Sequence, residues 1–407
     1  MTSAVRTVAR ELAKGVRVAR EDGAEAAVGR VFRKGLVRLC RDEATLPLFL
    51  DDVVLTDGRL PDLPPRRQLR PDEPMLVDWV MTPPSPGSGG HTTVFRVVEE
   101  LERRGHRCRL SIYDRYRGDL QRQTDTIRHF WPGVAASTHD AASGLLPADV
   151  TFATSWETAH VVARRATVGL RAYFVQDHEP DFHPLGSERV RAEATYRFGF
   201  VGVTAGRWLA EHLEATYGMP CAAFDFGCDT AVYRCDNMGP RNGVVFYAKP
   251  DVPRRAFWLG ALALRTFADR RPDQKVHLFG APTPRLDFPH VHHGSLSPAA
   301  LNRLYNTAAA GLSLSLTNVS LVPWEMLSSG CLPVVNDAPH NRRVLDNPHV
   351  RWSPLQPGTL AEALRLAVGH GADAGARLEA ARSVQEDRWD AAGATVEHAL
   401  RTVLCWE

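Results

Sequence analysis

The sequence predicts an α/β protein of two Rossmann-like domains facing across a cleft, with a helical extension at the N-terminus. Three observations carry this expectation. Short apolar runs alternate with segments of helical period from residue 75 onward, the pattern of βαβ units in a parallel sheet. Polar, Gly- and Pro-rich loops follow several of these runs, at the strand ends where open α/β sheets bind ligands. The chain has 407 residues, 44% of them hydrophobic, enough for two domains with sizeable cores.

The extension covers residues 1–74. Its first 41 residues read as helical, with ten Lys or Arg against four Asp or Glu and with apolar stripes through Val5, Val8, Leu12 and Val16, then Val28, Val31, Phe32 and Leu36. A basic amphipathic helix suits an anionic membrane surface, or packs on its own protein or a partner. Residues 57–74, with the run LPDLPPRRQLRPDEP, read as an extended linker. A formal net charge of +2 gives no global case for nucleic acid, so any anion site must be local. The seven cysteines are scattered, and Cys221, Cys228 and Cys235 lack both a C-x-x-C pair and a His at ligand spacing, so no metal site is expected. There is no signal-peptide pattern and no apolar run of about 18 residues, which points to the cytoplasm, with residues 1–41 available for peripheral contact at the inner membrane face.

The first α/β domain is expected over 75–228. It opens with a strand over 76–81, a loop containing Gly89 and Gly90, a helix over 91–104 and a strand over 109–113. A glycine loop at a helix start lets backbone amides approach a diphosphate. Further strands are expected over 150–154, 172–176, 200–204 and 222–225. The loop after the second of these, with Gln176, Asp177, His178 and Glu179, is the most polar and is the candidate acceptor site.

The second domain is expected over 229–407. Its first strand, 243–247, leads into AKPDVPRRAF, which places Lys249, Arg254 and Arg255 at a strand-to-helix loop where cations neutralise a diphosphate. A strand over 275–280 ends in Gly280, and a helix is expected over 299–309. The stretch 312–335, LSLSLTNVSLVPWEMLSSGCLPVV, reads as strand, loop, helix and strand, with the helix over 320–328 stopped by Gly330. Glu325 lies in that helix among Val322, Trp324, Met326 and Leu327, and a lone carboxylate there calls for a partner. The amides at its start, around Ser320 and Leu321, suit a phosphate, and Glu325 suits ribose hydroxyls. A last helix over 389–404 is expected to pack back across both domains.

These segments resemble the retaining GT-B glycosyltransferases of family 4, whose donor motif reads E-x-F-G-L-x-x-x-E followed by A-x-A-x-G-x-P-V. Leu321, Glu325 and Gly330 match it; Thr317 stands where the first Glu is expected, Val319 replaces Phe, Ser320 replaces Gly, and Pro333 and Val334 arrive one residue late. The stretches TNVSLVPWE, VQDHEP and FYAKPDVPRR are similar to the branch of surface-layer glycan rhamnosyltransferases. The resemblance implies that Gly89 and Gly90 close over the donor phosphates and that Lys249 with Arg254 or Arg255 neutralises them. It further implies that Gly280 ends the family's I-x-G strand, that Gly294 and Ser295 belong to the base-contacting turn, and that residues 226–230 cross between domains. Its implied reaction is transfer of a sugar, with dTDP-L-rhamnose as the suggested donor, to a glycan or lipid-linked saccharide with retention. No cofactor beyond the nucleotide-sugar substrate is called for. The acceptor proton would pass to the leaving phosphate or to Asp177 or Glu179. A nucleotide-sugar epimerase and a non-catalytic partner subunit would use the same fold.

Overall fold

The computed structural model describes residues 47–386 and 388–404, so the expected basic helix over 1–41 lies outside the described residues. Two parallel sheets organise the chain. The first contains β1 (Leu76–Met81), β2 (Arg107–Ile112), β3 (Ser137–Asp140), β4 (Val150–Ala153), β5 (Leu170–Val175), β6 (Val201–Ala205) and β7 (Cys221–Phe224), in the order β3-β2-β1-β4-β5-β6-β7. Between these strands run α1 (Gly89–Arg103), α2 (Leu120–Phe130), α3 (Trp156–Arg165), α4 (Ser187–Thr195) and α5 (Arg207–Tyr217). The reversal of direction at β1/β4 is the topological switch of doubly wound sheets.

The inner strands are buried on both faces, which is why their sequences are near-continuous apolar runs. Trp79 stacks on Phe152 at 4.4 Å, and Phe174 stacks on Phe224 at 5.1 Å. A polar cluster enters this layer: buried Asp78 accepts from Ser111 Oγ at 2.7 Å and Arg109 Nη2 at 2.9 Å, which satisfies the charge inside the sheet. Residues 52–74, of which 57–74 were expected as an extended linker, run strapped along this domain. Asp52 accepts two bonds from Arg165, at 2.6 and 2.9 Å, and one from Tyr113 Oη at 2.8 Å. Arg66 and Arg67 both bond buried Asp149, whose carboxyl stays below its ordinary pKa although burial opposes this, because the Leu76 amide and the two guanidinium groups outweigh burial.

The second sheet contains β8 (Val244–Ala248), β9 (Val276–Gly280), β10 (Val291–His292), β11 (Ala310–Ser313), β12 (Leu332–Asn336) and β13 (Arg351–Ser353), in the order β10-β9-β8-β11-β12-β13. Its helices are α6 (Phe257–Arg270), α7 (Pro298–Tyr305), α8 (Val322–Ser328), α9 (Pro339–Arg342), α10 (Pro357–Gly371) and α11 (Ala374–Arg382). Among the boundaries that differ from expectation, the helix expected over 299–309 ends at Tyr305, and two others shape the site. The strand at 312 stops at Ser313, and Asn336 holds Ser315 in the loop that follows: its Oδ1 accepts from Ser315 N at 2.8 Å and its Nδ2 donates to Ser315 O at 2.7 Å. The helix carrying Glu325 begins at Val322, two residues late, and leaves Ser320 in that loop.

The last helix, α12 (Trp389–Leu404), packs against α1 and β7 of the first sheet. The approach is close at Gly393, where an added Cβ would lie 2.3 Å from Glu100 Cβ. Gly393→Val is therefore expected to lower the stability of the chain by about 1–3 kcal/mol through overpacking. Denaturant unfolding checks this, and an unchanged midpoint would show that α12 lifts away at little cost.

Candidate active site

The carboxyl ends of both sheets meet around the loop that joins β11 to α8. From the first sheet come Gly89 and Gly90, the first two residues of α1, and Gln176 and Asp177 after β5. Ser88 caps α1, its Oγ accepting from His91 N at 3.3 Å, which puts the amides of Gly89 and Gly90 in the first turn of the helix. An added Cβ on Gly90 would sit 3.7 Å from the Gln176 side chain. The glycine loop and the β5 end are thus neighbours, as their shared edge of the sheet requires.

The second sheet brings the cations. Lys249 follows β8, half-buried, with Nζ 5.5 Å from the centroid of the Tyr247 ring and with no carboxylate partner among the described residues. Arg254 and Arg255 lie in a 3-10 turn just before α6, and Ala256, which closes that turn, holds φ at +49°, an unusual value for a residue with a Cβ. The Arg254 guanidinium lies over the Phe182 ring at 3.9 Å, with Nε 3.4 Å from Asp177 Oδ2. Arg255 Nη1 donates to Ser315 Oγ at 2.9 Å and to Asn318 O at 3.3 Å, so it braces the loop.

Gly280 and Gly294 complete this edge. Gly280, at φ +114°, donates its amide to Gly294 O at 2.9 Å, and an added Cβ there would meet Ala248 O at 2.5 Å. Only glycine fits so near Lys249. Gly294 opens onto free space and Ser295 is exposed, which leaves this turn accessible to a planar group. Ser320 and Leu321 precede α8 and are partly open.

Glu325 finds partners the sequence did not reveal. Its Oε2 accepts from Tyr305 Oη at 3.1 Å, and the nearby Tyr233 hydroxyl also favours its charged form. Burial raises its carboxyl to about 7, against the lowering effect of the two tyrosines. A run of rings connects it to the cations: Tyr305 lies edge-on to Phe279 at 5.9 Å, Phe279 stacks on Tyr247 at 5.1 Å, and Tyr247 borders Lys249. The tyrosines come from segments remote in sequence or in an unremarkable helix, and only the phase of Tyr305 in α7 hinted at an inward side chain.

The acceptor residues need correction. Glu179 turns into the first domain, buried, where its Oε2 accepts from Trp156 N at 2.5 Å. Burial, then the neighbouring Glu157, pushes its carboxyl well above the usual range, and its place inside the first domain keeps it from an acceptor hydroxyl. Asp177 is also engaged. Its Oδ1 accepts from Asn318 N at 2.9 Å and His178 N at 3.0 Å, and its Oδ2 from Thr317 Oγ1 at 3.0 Å. With Arg254 alongside, this carboxylate is occupied by donors, not aimed at a substrate proton. His178 likewise faces inward, its ring nitrogens 2.8 Å from Asp181 Oδ2 and 3.0 Å from Tyr217 Oη.

Solved structures share this arrangement of sheets. Anabaena HepE in complex with UDP-glucose superposes with a TM-score of 0.60 at 13% identity, over 81% of this chain and 99% of that one. Sucrose-phosphate synthase from Thermosynechococcus elongatus gives 0.58 at 11% identity, over 83% and 100%. The fold is GT-B. The WsaF C-terminal domain model matches residues 242–365, the GT-B half that carries Lys249 and Glu325. The O-antigen biosynthesis protein RfbC of Myxococcus xanthus is 34% identical over 326 residues, covering 74% of this chain and 25% of that protein. The chain therefore spans about a quarter of the length of that curated relative. No helix among the described residues is long and apolar enough to cross a membrane.

Proposed function

We propose that the chain is a glycosyltransferase that moves a sugar from a nucleoside-diphosphate sugar to an acceptor hydroxyl of a glycan or lipid-linked saccharide, with retention at the anomeric carbon. The observation that carries this reading is Lys249, a cation without a carboxylate partner among the described residues, at the same sheet edge as Arg254, Gly280 and Glu325. Lys249 and Arg254 would stabilise the charge that grows on the diphosphate as the glycosidic bond breaks, and the amides of Ser320 and Leu321 would add hydrogen bonds to the same oxygens. Arg255 holds the loop in place. Gly89 and Gly90 would close over the phosphates from the first domain, while Gly294 and Ser295 would flank the base.

The acceptor proton is assigned to a leaving phosphate oxygen, since Glu179 is buried and Asp177 is engaged by protein donors. The sugar is the finer part of the proposal. The resemblance around TNVSLVPWE suggests L-rhamnose from dTDP-L-rhamnose, whereas the HepE neighbour binds UDP-glucose. A thermal-shift screen of nucleotide sugars followed by product analysis separates them. Absence of both binding and sugar transfer across UDP-, dTDP- and GDP-sugars would overturn the proposal.

Two further outcomes are expected. Chelators leave transfer unchanged, because Lys249 and Arg254 supply the charge and because Asp177 and Glu179 point to different partners instead of converging on one ion. If EDTA abolishes turnover and manganese restores it, a metal site must be sought elsewhere. The segment over 1–41, with a formal charge of +6 from ten basic and four acidic residues, is proposed to hold the enzyme at the cytoplasmic membrane face, near a lipid-linked acceptor. Full-length protein should then sediment with anionic vesicles more than a chain starting at Asp42, most strongly at low salt.

A further inference from the structure

We propose that Asn318 is a positioning residue, which pins the donor loop of the second domain to two strand ends of the first and thereby fixes the register between donor and acceptor. The inference rests on the proposed transfer reaction and adds to it the element that aligns the two substrates. Asn318 is 1% exposed, and each of its polar groups has a task. Its Nδ2 donates to Gln176 O beyond β5 and to Ala205 O at the end of β6, both at 2.8 Å. Its backbone N–H donates to Asp177 Oδ1, its Oδ1 accepts from Val319 N at 3.0 Å, and its carbonyl accepts from Ser315 Oγ at 2.5 Å.

No other side chain serves this place equally well. An amide offers two N–H donors to two carbonyls that the parallel sheet leaves unpaired at its edge. Aspartate has nearly the same shape but presents an oxygen to both, so it repels them. Thr317 adds a second tie through Asp177 Oδ2, and the other face of the loop is held by Asn336 and Arg255. The loop is therefore rigid toward its own sheet and fastened to the first domain at Gln176, whose side chain borders Gly90. Losing the pin would keep the loop amides and the phosphate cations together in the second domain but shift the anomeric carbon relative to the acceptor. A misplacement of about 1 Å reduces turnover on the order of 100-fold.

The test compares wild type with Asn318→Asp and, as a milder change, Thr317→Val. Affinity for UDP and dTDP by calorimetry, transfer to acceptor, hydrolysis of donor by water, and solution scattering are measured for each. The expected result for Asn318→Asp is nucleotide affinity within about threefold of wild type, transfer down about 100-fold, a higher ratio of hydrolysis to transfer, and a larger radius of gyration. Thr317→Val should move in the same direction by less. An unchanged partition between transfer and hydrolysis in an active Asn318→Asp enzyme would overturn the proposal. If wild type transfers no sugar from any donor, the reading as a glycosyltransferase fails, and scattering then decides the pin by itself: a radius of gyration unaltered by Asn318→Asp contradicts it. Should Asn318→Asp not fold, Asp177→Asn takes its place with the same readouts, because it keeps the shape but swaps one acceptor for a donor opposite the loop.

Discussion

Replacing Lys249 or Arg254 by alanine is expected to lower the turnover of sugar transfer by about 100- to 1000-fold, the range found when one donor to a developing anion is removed. The Lys249 change should leave the fold intact, because its ammonium makes no hydrogen bond or ion pair among the described residues and only borders the Tyr247 ring. Arg254 is different in kind. Its guanidinium lies over the Phe182 ring at 3.9 Å and beside Asp177, so its position is set before any ligand arrives. Lysine keeps the charge but loses the planar fork, and Arg254→Lys should recover only part of the activity. Steady-state kinetics with the donor found by screening checks both. Full activity in Lys249→Ala would remove this cation from the mechanism.

Loss of Glu325 should act on binding more than on turnover. Glu325→Ala is expected to weaken donor affinity by about 1–3 kcal/mol, since the ribose hydroxyls lose a charged acceptor. The titration of this carboxyl adds a pH signature. Its value is raised from 4.5 to about 7 by burial, so near pH 6 the group is largely protonated and accepts poorly. Donor affinity of the wild type should rise between pH 6 and 8, while Glu325→Gln should be flat over that window. Stability must move the opposite way. A carboxyl with a raised folded value takes up a proton on folding, so its contribution is fully present below pH 4.5 and is lost as pH rises through about 7. Calorimetric titration across this range measures the first effect, and denaturant unfolding of wild type against Glu325→Gln measures the second. A pH-independent affinity in wild type would mean that Glu325 does not touch the donor.

How much of this was legible in the sequence differs from residue to residue. The strands were legible because parallel strands buried on both faces must be apolar throughout, and the cations because a βα loop containing Lys249, Arg254 and Arg255 places them at the ligand-binding edge of a sheet. Glu325 was singled out by its apolar neighbours, which correctly implied a need for partners. Their identity, Tyr233 and Tyr305, depends on how α7 and the crossing between the domains fold back, and no local pattern encodes that. The segment with Asp177 and Glu179 was misread for the same reason. A run of polar residues in a loop says that polar groups are present but not which way each turns, and here Asp177 turns to the second domain while Glu179 turns into the first. Asn318 carried no signal at all, because its worth lies in two carbonyls more than a hundred positions away.

The most direct test of the account is a crystal structure of the chain with the nucleoside diphosphate that binds best in the screen. The account predicts the diphosphate between Lys249, Arg254 and the amides of Ser320 and Leu321, the ribose hydroxyls on Glu325, and the base beside Gly294 and Ser295. A nucleotide bound away from Lys249 and Glu325, or one whose phosphates face the Glu325 side while the ribose lies on the cations, would contradict it.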